Sequence, residues 1–236
     1  MAKQTGIYFI GRYGNVVGST WKGIPYLKFQ PGKINQSKAT RESVNYMAQA
    51  SPIAAAFRKS FVQLLPQPKN REMQNAFNGA VKKWLQTKPF KQKLPTTQLP
   101  FVTGFEFNQQ SLLNDRLHLS ITWQQIAQQE LLLHIPSFIP TETIAAAAYT
   151  KQVTMNIVAS RYDRSKAFIT NTFETTLSIS FNDIAFPSQQ IQLPFIATKN
   201  TTILVTVALQ YATTKKQTII QDLRWLPCGI VCGMVS

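Results

Sequence analysis

Side chains suited to acid–base, metal or nucleophilic chemistry are few in this 236-residue chain: ten Asp and Glu, two His and two Cys. The carboxylates are scattered singly, so no pair stands out for general acid–base work. His118 alternates onto the polar side of a strand-like run. His134, within Leu131-Leu132-Leu133-His134-Ile135-Pro136, has no carboxylate close by in sequence to orient it. A nucleophilic serine needs such an oriented base. Two thiols without clustered histidines do not make a zinc site. No enzymatic activity, cofactor or metal is therefore expected. Cys228 and Cys232 would stand about 13 Å apart in an extended strand, too far for a mutual disulfide, and are expected as reduced core cysteines.

Long apolar runs are also lacking. None reaches the ~18 residues of a spanning helix. The run Ile7-Tyr8-Phe9-Ile10 after Lys3 stops at Gly11 and Arg12, far short of a signal-peptide core. No membrane span and a cytoplasmic location are the expectation. Charged residues make up 15% of the chain, against about 25% in average soluble domains. Thr, Gln, Asn and Ser fill the polar positions instead.

What charge there is lies at one end. Residues 1–100 carry sixteen Lys and Arg against two acids, Glu42 and Glu72, whereas residues 101–236 carry nine against eight. Nearly all of the net charge of +15 thus belongs to the first hundred residues. Such a concentration points to one acidic partner surface rather than to general solubility. Lys outnumbers Arg twelve to four there, which suits attraction to a phosphate backbone better than bidentate reading of bases. The candidate polyanion-binding residues are Lys22, Lys28, Arg58, Lys59, Lys69, Arg71, Lys82, Lys83, Lys88, Lys91 and Lys93.

Periodicity divides the chain in the same place. Ile7 to Tyr13 lead into a Gly14-Asn15 turn and Val16-Val17, a hairpin pattern. Read as one strand, Trp21 to Phe29 puts Trp21, Leu27 and Phe29 on one face and Lys22, Ile24, Tyr26 and Lys28 on the other. On that reading Trp21 is a packing residue. Pro25 confines the strand to an edge or a bulged position. The glycines Gly11, Gly14 and Gly18 do not form a phosphate loop, because Ser19 follows Gly18 and the lysine comes later, at Lys22. Three helices are expected next. The first covers 39–50, and a second is started by Ser51-Pro52, with Ile53, Phe57, Phe61, Leu64 and Leu65 as its apolar stripe. The third covers 71–86, with Met73, Phe77, Ala80, Val81 and Trp84 facing inward.

From Phe101 the period becomes two. Alternating runs lie at Leu117–Trp123, Val153–Ala159, Leu177–Phe181 and Ile203–Tyr211, separated by turn signals. The expected fold is α+β: a basic N-terminal module of β-hairpin and three helices over 1–95, then an antiparallel β-sandwich over 101–236.

Two phrases carry a resemblance. Gly14-Asn15-Val16-Val17-Gly18-Ser19-Thr20-Trp21-Lys22-Gly23-Ile24-Pro25-Tyr26-Leu27-Lys28 resembles the opening of a family of Bacteroidota proteins known as domain of unknown function six-two-six-six. Its members share a "VGSSWKGI-Y-R" phrase. Gln74-Asn75-Ala76-Phe77-Asn78-Gly79-Ala80-Val81 is similar to the family's "TAFNAAM" phrase. The chain departs from the family at the linker, which reads Asn35-Gln36-Ser37-Lys38-Ala39-Thr40-Arg41-Glu42 in place of "NPRTEAQ", and at Lys28, where the family has arginine. Similar phrases occur in phage structural proteins, which implies an assembly role and, for a phage-encoded chain, a place in the virion. The resemblance implies no catalytic residue.

The functional expectation is a non-enzymatic structural or assembly protein whose basic module contacts nucleic acid or another polyanion. Its protein partners would be copies of itself or other subunits. The alternatives are a soluble, sequence-independent nucleic-acid-binding protein and a protein-interaction module.

Overall fold

A computed structural model describes residues 3–5, 8–30, 35–87, 99–125, 131–194, 198, 200–213 and 219–235. The chain forms two compact units, Met1–Ser43 and Val44–Ser236. It is a mixed α+β protein whose sheets are antiparallel.

The first unit holds a four-stranded sheet in the order β1 (Lys3–Thr5), β2 (Tyr8–Tyr13), β3 (Val16–Trp21) and β4 (Ile24–Phe29). The Gly14-Asn15 turn joins β2 to β3, with Tyr13 opposite Val16. A second turn was not anticipated. Lys22 and Gly23 both have positive φ, 50° and 83°, the combination of a two-residue type I′ hairpin turn whose twist matches its flanking strands. Residues 21–29 are therefore the end of one strand, a turn and a second strand. Every side-chain assignment before the turn changes face relative to the single-strand reading. Pro25 does sit in an edge strand, β4.

Two helices follow. In α1 (Lys38–Ser60), Ser37 caps the first turn, its Oγ accepting from the Thr40 amide at 3.1 Å. The helix runs unbroken through Pro52, so the expected break at Ser51-Pro52 is absent. A proline inside a helix forfeits one backbone bond and crowds the preceding turn. Burial of Ala50, Ile53, Ala54 and Phe57 along one stripe outweighs that cost. In α2 (Arg71–Gln86), the Asn70 side chain accepts from the Met73 amide at 3.0 Å. Met73, Phe77, Val81 and Trp84 are buried as their spacing suggests.

Among the described residues, short helices α3 (Leu113–Arg116) and α4 (Pro140–Thr143) accompany seven further strands. A three-stranded sheet has the order β5-β6-β9, from β5 (Thr122–Gln125), β6 (Leu131–Ile135) and β9 (Gln189–Leu193). A four-stranded sheet has the order β11-β10-β7-β8, from β7 (Thr150–Asp163), β8 (Phe168–Ser180), β10 (Thr201–Thr213) and β11 (Cys228–Val235). The expected run at 117–123 is a strand only from Thr122 onward; Leu117 makes an isolated bridge to Ile144.

The central strands of the larger sheet are largely buried on both faces, and the alternation assigns each face. Ile203, Val205, Val207, Leu209 and Tyr211 of β10 share one core cluster with Leu131, Leu133 and Ile135 of β6. Leu204 and Ala208 of β10 and Val158 and Tyr162 of β7 share another cluster with the stripes of α1 and α2. Ring contacts join helices to sheet side: Phe57 lies 5.8 Å from Tyr162, and Phe77 lies 5.2 Å from Phe107, between ring centroids. The helices therefore share a core with the strands. The units part after Ser43, and most of the stretch expected to separate the two domains, between residues 95 and 101, lies outside the described residues.

Cys228 and Cys232 are free and buried. Burial pushes both thiols up, Cys232 to about 12, so they are inert packing groups.

Candidate polyanion-binding surface

The N-terminal sheet has two chemically distinct faces, and its register shows which residues share each. Across three strands, Arg12 pairs with Val17 and Val17 with Lys28. Two residues further along β3, Ser19 pairs with Tyr26, and at the turn Trp21 pairs with Ile24. Paired residues and their second neighbours project to the same side. One face thus carries Arg12, Lys28, Tyr26, Trp21 and Ile24, with Lys22 at the adjoining turn. The opposite face carries Tyr13, Val16 and Phe29 in one row, and Leu27 beside Gly18 in the next. Phe9 belongs there too, in edge contact with Tyr13 at 6.3 Å.

The first face is exposed. Trp21 is 68% and Tyr26 39% accessible, and Arg12, Lys22 and Lys28 are exposed. Arg12 Nε donates to the Gly14 carbonyl at 3.1 Å, which draws its side chain over the hairpin turn. Residues 1–41 contain no acidic side chain, so no carboxylate of the strands competes for these cations. The second face is uncharged, with Tyr13, Leu27 and Phe29 exposed.

The sequence-based candidates fall into both units. Lys22 and Lys28 belong to the first, on or beside one sheet face. Arg58, Lys59, Lys69, Arg71, Lys82 and Lys83 belong to the second. Arg58 is half-buried, and its Nη1 donates to Asn78 Oδ1 at 2.7 Å, tying α1 to α2; burial lowers its pKa. Its geometry is that of a structural residue. Lys83 is exposed, with Nζ 5.7 Å from the centre of the Phe101 ring, while Lys82 is half-buried. Lys59, Lys69 and Arg71 are exposed, the last two flanking the Asn70 cap. Lys88, Lys91 and Lys93 lie outside the described residues.

Sequence reasoning missed Arg12, and it placed Trp21 among packing residues. The signal for the latter was present: Trp-Lys-Gly-Ile is a pair of strand-forming residues around an X-Gly turn. For Arg12 the signal was weaker, because its row becomes visible only once the registers of both hairpins are known.

Among the described residues no three His, Cys, Asp or Glu side chains gather into a metal-binding group. No helix among them is long and apolar enough to cross a membrane. A cavity of about 290 Å³ lies beside the start of α2, lined by Glu72, Met73 and Glu106 among others. The Glu106 carboxylate is already engaged, accepting from the amides of Leu113 at 2.8 Å and Asn114 at 3.2 Å.

No protein-family model matches the chain, and no curated protein does. Among solved structures, a calcium-binding mutant of β-glucuronidase 2 from Bacteroides uniformis is similar over 43% of this chain and 12% of its own, at 17% identity and a TM-score of 0.23.

Proposed function

We propose that this protein works by binding rather than catalysis, as a structural or assembly component whose basic N-terminal region contacts nucleic acid or another acidic surface. The observation that carries the reading is the N-terminal sheet, where Arg12, Lys22 and Lys28 stand among exposed aromatic side chains in a stretch free of carboxylates. The uncharged face with Tyr13, Leu27 and Phe29 adds a surface suited to a protein neighbour, either a second copy or another subunit. Together they give the first unit one side for a polyanion and one for a subunit, as a component of a particle such as a virion requires. In this reading the two antiparallel sheets of residues 101–236 form a β-sandwich that supplies the scaffold, and the resemblance to the Bacteroidota family and to phage structural proteins is a true kinship.

The test is polyanion binding by the full chain at several salt concentrations, together with particle size after nuclease treatment. Binding whose logarithm falls linearly with log salt, and a particle larger than one chain, support the reading. A monomer that retains no polyanion at low salt refutes it. A monomer that does bind identifies a soluble nucleic-acid-binding protein instead.

A further inference from the structure

Resting on that reading, we infer that the acidic partner is a single-stranded nucleic acid, held across the Trp21–Tyr26 face of the N-terminal sheet. Electrostatics alone would accept any polyanion. The two rings add a discrimination that base-free polyanions and closed duplexes cannot satisfy. Trp21 lies opposite Ile24, and Tyr26 is two residues on from Ile24 in β4, so the rings are diagonal neighbours on one face. Such positions stand about 7–8 Å apart, roughly twice the 3.4 Å step of stacked bases along one strand. Each ring can therefore take one base of a strand whose neighbouring bases have been drawn apart. A duplex keeps its bases stacked on one another and offers no face to either ring.

The cations are placed for the backbone of the same strand. Arg12 and Lys28 occupy one row of the sheet, separated by Val17 and so by about 10 Å. Lys22 lies at the far end, in the turn next to Trp21. Aromatic residues between cationic rows, with no acid on the face, match the phosphate–base–phosphate alternation of an extended strand. The surrounding polar residue on that face, Ser19, is small, which leaves the rings open from above. Recognition through ring faces and backbone charge predicts little sequence preference.

The experiment uses the full-length chain with three probes of similar charge: a fluorescent oligo-dT, a duplex and heparin. An oligo-U arm separates DNA from RNA. Oligo-dT or oligo-U should bind more tightly than the duplex and quench tryptophan emission. Trp21→Ala and Tyr26→Ala should each weaken single-strand binding about five-fold or more and leave heparin binding unchanged, and Trp21→Phe should retain most of the affinity. Arg12→Gln with Lys28→Gln should weaken all probes and reduce the salt slope. Equal binding of oligo-dT, duplex and heparin, untouched by the alanine substitutions, overturns this inference and leaves the polyanion reading standing. Preference for the duplex overturns it likewise. Failure to bind any probe at low salt overturns both.

Discussion

Trp21 and Ile24 are direct cross-strand partners on either side of the Lys22-Gly23 turn, and both are about two-thirds exposed, at 68% and 69%. A core aromatic truncated to alanine costs about 3–5 kcal/mol. A side chain in this setting loses a cross-strand contact worth about 0.2–1 kcal/mol. Trp21→Ala is therefore expected to leave the thermal unfolding midpoint nearly unchanged, whereas Phe77→Ala, which removes a fully buried ring of α2 packed against Phe105 and Phe107, should cost about 3–5 kcal/mol. Comparable losses in the two variants would show that the Trp21 ring is packed.

Gly18 tests the registers that define the two faces. An added Cβ there would fall 1.9 Å from the Phe9 carbonyl oxygen, a backbone atom that moves only if β2 moves. Gly18→Ala should separate β2 from β3, and amide exchange of the β2–β3 pairs should accelerate while that of β7 and β10 stays slow. Unchanged protection in β2 would mean that the carbonyl does not lie over Gly18.

The shared apolar cluster makes a prediction about fragments. Phe57, Phe77, Val81 and Trp84 from the helices, and Phe61 just after α1, are buried together with Phe107, Tyr162, Leu204 and Ile230. A fragment of residues 36–236, which keeps the Ser37 cap, should unfold cooperatively. A fragment of residues 101–236 should aggregate or bind hydrophobic dye, because one side of its larger sheet loses its cover. Cooperative unfolding of the shorter fragment in denaturant would show that the strands need no helices.

Much of this organisation is legible in the residues. Apolar spacing located α2 and the long strands β7 and β10, because one buried stripe or face imposes its own period. The lysine excess located the charge. What failed were features decided between segments. Pro52 reads as a helix start locally, yet the stripe of Ala50, Ile53 and Phe57 continues one helix across it. Trp21 and Phe29 read as one strand because the X-Gly turn is short enough to pass for an interruption. The partnership of Arg12 with Lys28 depends on two registers at once, and no single period in the chain records it.

Glu106 supplies a pH test of the second unit. Burial raises its pKa above the usual 4.5, against the amides of Leu113 and Asn114, which pull it down, and with a further upward push from Asp115. In the folded chain it thus holds its proton to higher pH than in the unfolded chain. Stability contributed by this group is fully present below the unfolded value and is lost as pH rises through the folded one. Glu106→Gln removes the titration while keeping one carbonyl to accept from an amide. The variant should lack the fall in urea midpoint that deprotonation of Glu106 imposes on the parent in the window just above 4.5. The second amide bond, lost with the second carboxylate oxygen, should appear only as a small offset, because the Asn114 amide is exposed and turns to water. Urea titrations of both proteins from about pH 3 to about pH 8 separate slope from offset, because every other titrating group is common to the pair. Parallel curves would mean that the Glu106 carboxyl titrates alike in the folded and unfolded chain. A variant curve that rises with pH relative to the parent is the expected result, since only the parent accumulates a buried charge as the proton leaves.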